Sequence, residues 1–78
     1  MIKLEYYPFD ANTPWDRMVD EMLPEINSNP HCHINGVHLS IHNEIEKCGG
    51  SIYLNPDAII IIEFNNMEDY TLFKLKWG

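Results

Sequence analysis

Ala58-Ile59-Ile60-Ile61-Ile62-Glu63-Phe64-Asn65-Asn66-Met67-Glu68-Asp69 is the stretch on which the fold turns. Four consecutive isoleucines are too greasy to leave in water, and side chains branched at Cβ favour an extended backbone. The run is far too short to cross a bilayer, so it predicts a strand buried on both faces. Behind it the pattern changes to that of a helix over residues 66–77. Asn66 is placed to cap, Glu68 and Asp69 fall in the first turn, Lys74 and Lys76 in the last, and Gly78 follows. A strand with Thr71, Phe73, Leu75 and Trp77 on one side is the rival for this segment, but the charges at its two ends favour the helix.

Upstream of the isoleucines, Asn55-Pro56-Asp57-Ala58 has proline in the favoured second place of a tight turn, and residues 51–54 predict a short strand before it. Residues 37–45 alternate, with Val37, Leu39, Ile41 and Ile45 on one side and His38, Ser40, His42 and Glu44 on the other. Asn43 is the one polar residue on the apolar side. The pattern predicts a strand. A rival takes Ser40 as the cap of a short helix in which Ile41, Ile45 and Cys48 share a face ahead of Gly49-Gly50. Further back, Asn27-Ser28-Asn29-Pro30 is loop.

The first third of the chain is a strand and a helix. Ile2, Leu4 and Tyr6 alternate with Lys3, Glu5 and Tyr7 until Pro8. Thr13 as N-cap, Pro14 at the first helical position and Asp16 three residues after the cap start the helix. Trp15, Met18, Val19, Met22 and Ile26 share its apolar face, while Asp16, Asp20, Glu21 and Glu25 face away. Pro24 ends this helix near Met22 or kinks it, and Ile26 keeping the register favours a short continuation. These elements add up to one α+β domain over 1–78, in the order β-α-β-β-β-α. Residues 37–64 form a three-stranded antiparallel meander in it, and both helices cover one face of the sheet. Trp15, Met18, Met22, Ile41, Ile60, Ile62, Phe73 and Trp77 are its expected core.

The ending resembles that of short accessory proteins encoded by tailed bacteriophages, in which a strand leads into an acidic helix start and a Phe-basic-Leu-X-Trp-Gly tail. Here Glu68, Asp69, Phe73, Lys74, Leu75, Trp77 and Gly78 carry the match. The resemblance covers about the last fifth of the chain. It implies a phage accessory protein and supports the helix over 66–77. It brings no catalytic residues with it.

Charge narrows the choice of partners. The formal net charge is −7, and all twelve acids lie in residues 4–73 against only Arg17 and Lys47. Such a chain lacks the clustered cations that a phosphate-backbone binder needs, so direct nucleic-acid binding is not expected. It suits instead a host protein with a basic surface, met through Asp16, Asp20, Glu21 and Glu25, as an inhibitor of the anti-CRISPR or DNA-mimic kind would. The competing reading is the solvated side of an amphipathic helix. A small domain can also bury apolar surface against a second copy, so monomer and homodimer both stand, and a self-assembling structural protein is an alternative function. Two cysteines, Cys32 and Cys48, and a start with no long apolar core predict a cytoplasmic protein with reduced thiols and no membrane span.

Four histidines and a cysteine gather in His31-Cys32-His33, His38 and His42. Imidazole and thiolate are zinc ligands, which makes a zinc-binding protein a further alternative. On a strand, however, His38 and His42 stand roughly 13 Å apart, too far to share one ion. On a helix they become an i,i+4 pair. No cofactor or metal is expected. Cys32 and its neighbouring histidines point to opposite sides of an extended segment, so no nucleophile-base pair is expected and the chain reads as a non-enzyme.

Overall fold

In the computed structural model, which describes residues 1–78, the isoleucine run supplies the middle strand of an antiparallel sheet. The elements in chain order are β1 (Ile2–Tyr6), α1 (Pro14–Ser28), β2 (His33–Ile34), β3 (Val37–His38), α2 (Leu39–Lys47), β4 (Gly50–Leu54), β5 (Ile60–Phe64) and α3 (Met67–Trp77). The main sheet runs β1-β5-β4, and β2 with β3 makes a separate two-stranded hairpin. The class is α+β, as expected. The expected order β-α-β-β-β-α is recovered when the hairpin counts once, with α2 inserted behind it.

That insertion corrects the strand expected over 37–45. Only Val37 and His38 are extended, and Leu39–Lys47 is helical. At about 100° per residue, Ile41, His42, Glu44, Ile45 and Cys48 fall on one arc of a helix, whereas period two separates them. The first four are buried and Cys48 is half-buried, while Leu39 and Asn43 are exposed. Asn43, the exception on the apolar side of a strand, is unexceptional on the wet side of a helix. The cap is His38 rather than Ser40. With 37–45 gone from the sheet, the third strand is β1, so the expected meander is replaced by pairing between distant parts of the chain. Leu4 stands opposite Ile62, and Ile62 opposite Ile52.

Ile60, Ile62 and Phe64 join Ile52 and the helix residues Trp15, Met18, Ile41, Ile45, Phe73 and Trp77 in one core, completed by Val37. Seven of the eight expected core residues are in it, and Met22 packs at its margin. Ile61 points to the other side of the sheet, between Glu5 and Tyr53 in register, and is still only 2% exposed. Ile59, just before β5, is half-buried. Phe64 meets Phe73 with ring centroids 5.2 Å apart, which seats α3 on the end of β5.

Helix ends follow the capping chemistry of the sequence. Thr13 Oγ1 accepts from Asp16 N–H at 3.1 Å, and Asn66 Oδ1 from Asp69 N–H at 2.8 Å. α1 continues past Pro24 to Ser28. Asp20, whose carbonyl loses its i+4 donor there, is exposed, so water can reach that carbonyl. Arg17 Nη1 donates to the Trp77 carbonyl at 2.8 Å and ties α1 to the last turn of α3.

Candidate functional site

The four acids chosen from the sequence all lie on α1, in two i,i+4 rows: Asp16 with Asp20, and Glu21 with Glu25. Asp20, Glu21 and Glu25 are exposed. Asp16 is half-buried, and its carboxylate accepts the Asn12 N–H at 3.2 Å, so part of its hydrogen-bonding capacity serves the start of the helix. Arg17 lies between the rows, but its guanidinium is directed to the Trp77 carbonyl. None of the four acids forms an ion pair. The two ion pairs of the molecule both involve Glu44.

Glu44 is the acid that sequence reasoning missed. It is 5% exposed, on the core side of α2, and accepts a hydrogen bond from the Lys76 ammonium of α3, with Lys47 Nζ 3.9 Å from its other oxygen. This hydrogen bond holds Lys76 above its ordinary value of 10.5. Nearby, burial first and the Glu44 charge second push the Cys48 thiol above 9.0, the opposite of what an activated nucleophile needs. Reading 39–47 as a helix is what would have exposed this pair, because it turns Glu44 inward.

His38 and His42 are structural in their contacts. His38 is buried, and its Nε2–H donates to the Asn29 carbonyl at 2.7 Å. A carbonyl only accepts, so the proton is on Nε2, and Nδ1 is free to accept the Ser40 N–H at 3.2 Å. His42 Nε2–H donates to the Ile34 carbonyl at 2.7 Å. The two rings thus staple the segment 29–34 to α2. His33 lies edge-on to His38 with centroids 5.2 Å apart, while His31 and Cys32 are exposed. No three His, Cys, Asp or Glu side chains come together as a metal-ligand group. No helix is long and apolar enough to cross a membrane.

The hairpin between α1 and α2 also lay outside the sequence reading. Its signal is Asn35-Gly36, both with positive φ (53° and 81°), the two-residue turn that suits a right-twisted hairpin. The Asn35 carbonyl accepts the Leu54 N–H at 3.0 Å, which docks the turn on the end of β4. Between hairpin, α2 and β4 runs a groove of about 690 Å³, lined by Ile34, His42 and Glu46 on one side and by Ser51–Leu54 on the other. A smaller hollow of about 260 Å³ lies beside Cys32 and His38. Compared with protein-family models, with curated proteins and with solved structures, the chain matches none.

Proposed function

We infer that this is a non-enzymatic accessory protein of phage origin that binds a basic surface on a host protein through the exposed acids of α1. The observation behind this reading is that Asp20, Glu21 and Glu25 stand exposed without an ion pair. Like charges at i,i+4 destabilise a helix by about 0.2–0.5 kcal/mol per pair, so the rows detract slightly from the fold, and the carboxylates of Asp20, Glu21 and Glu25 make no internal hydrogen bond or ion pair in return. Held on a rigid helix, they offer carboxylates at about 6 Å intervals to a partner's cations. A groove that normally takes nucleic acid is one such partner, and the protein then acts as a DNA-mimic inhibitor. The resemblance of residues 66–78 to phage accessory proteins points the same way.

The test is parallel affinity capture from a bacterial lysate with the wild-type chain and with a variant carrying Asp20→Lys, Glu21→Lys and Glu25→Lys. These side chains are exposed, so circular dichroism should show the variant folded. A partner held by the wild type, released by salt, displaced by duplex DNA and absent from the variant is the expected result. Equal recovery by both chains, or no partner for either, defeats the reading.

A further inference from the structure

β1 is an edge strand whose outer backbone groups are free. The Leu54 N–H goes to Asn35 and the Asn55 N–H to Ile59. On β5 the groups of Ile59, Ile61 and Glu63 therefore face β4, and those of Ile60, Ile62 and Phe64 face β1. Ile2, Leu4 and Tyr6 are thus the residues bonded to β5, and the N–H and C=O of Lys3 and Glu5 point outward. Both residues are exposed, and neither backbone takes part in any bond made outside the regular elements. β5 is the only element that lies extensively along β1. On the helix side Ile2, Leu4 and Tyr6 stay half-buried at the margin of the core.

A charge on an edge strand ordinarily keeps a second edge away. Here the two charges have opposite signs, lie two residues apart on one face, and form no ion pair. Two copies of β1 laid antiparallel with their outward groups facing have few registers to choose from. Centred on Lys3 or on Glu5, the pairing sets like charges together. Centred on Leu4, it sets Lys3 opposite Glu5 on both sides of the axis, and Met1, 83% exposed, opposite Tyr7, 51% exposed. We propose that two copies of this chain pair through β1 in this last register, about a twofold axis at Leu4, so that the three strands of each join in one continuous sheet. Lys3 and Glu5 then supply the hydrogen-bonded pairs across the axis, and Leu4 meets Leu4 on the helix side. Each copy has net charge −7, but the joined edges carry one cation and one anion apiece. At about 0.15 M salt, charges farther apart than about 8 Å are largely screened. No α1 residue enters the paired edge, so the dimer stands or falls independently of the acidic-helix reading.

Sedimentation equilibrium from about 1 μM to about 1 mM should show the wild type passing from monomer to dimer. Lys3→Glu and Glu5→Lys should each weaken the dimer about tenfold or more, because each sets like charges opposite one another at both pairs. Net charge alone predicts the reverse for Glu5→Lys, which lowers the repulsion between the two bodies. The double variant Lys3→Glu/Glu5→Lys should dimerise like the wild type. An equal mixture of the two single variants should form a heterodimer, since its facing edges are again complementary. Hydrogen exchange of the wild-type Lys3 and Glu5 amides should slow as concentration rises. The substituted side chains are exposed, so circular dichroism should show every variant folded; if one is not, exchange at Lys3 and Glu5 decides. A wild type that stays monomeric over the whole range overturns the proposal. So does a dimer in which those amides exchange freely, a dimer that Glu5→Lys strengthens, or a mixture of single variants that does not pair.

Discussion

His38 does two jobs that a single sequence position seldom combines. Through Nδ1 it caps α2, and through Nε2–H it satisfies the Asn29 carbonyl just beyond α1. Both depend on one neutral tautomer, with the proton on Nε2. His38→Ala removes the cap and strips Asn29 of its partner, and should cost about 1–2 kcal/mol in urea unfolding. His38→Asn keeps a capping oxygen but cannot span to Asn29, so it should recover part of that loss. Equal stability of the two variants would mean that the contact to Asn29, not the cap, carries the effect. None of this was visible in the sequence, where a histidine at the start of a helix is not a recognised cap. Reading His31, His33, His38 and His42 as one group hid the fact that His38 and His42 face inward while His31 and His33 do not.

Among the elements, those with strong end signals were legible and those defined by packing were not. Thr13-Pro14 and Asn66 with Glu68 and Asp69 announce α1 and α3, and both caps are made as expected. β1, β4 and β5 were legible from alternation and from the isoleucine run. α2 was not, because nine residues with apolar positions at 39, 41 and 45 satisfy period two nearly as well as a helix. The deciding contacts are tertiary: Lys76 waits for Glu44 on the far side of the chain. The candidate acids were legible as an outward face, but the β4 groove was not, since it depends on where the hairpin docks. Gly36 is the residue on which that docking turns. Its φ is +81°, and a Cβ there would lie 2.8 Å from Leu54 Cβ. Gly36→Ala should therefore lower stability by about 1–3 kcal/mol and shift the Leu54 and Ile52 amide resonances, while leaving those of α1 in place. An unperturbed spectrum would show that the hairpin does not rest on β4.

Across the whole molecule, the groups with shifted protonation all shift the same way. Cys48 and Tyr6 are raised by burial first, and Lys76 by its bond to Glu44 first. Each holds its proton longer folded than unfolded, so each contributes stability that is complete below its unfolded value and is lost as pH rises through the folded one. Cys48 has the lowest starting point, 9.0, followed by Tyr6 at 10.0 and Lys76 at 10.5. Urea midpoints measured up the alkaline range should begin to fall near pH 9, and Cys48→Ala should move the onset upward. A midpoint that stays level through pH 11 would contradict this ordering. The sheet has a different consequence, for the order of events during synthesis. Tyr6 is in register with Ile60 although most of the chain lies between them. On a ribosome, β1 therefore emerges long before the strand it pairs with exists. It must wait as an unpaired, tyrosine-bearing tail until the isoleucines leave the exit tunnel, so closing the sheet is among the last acts of assembly.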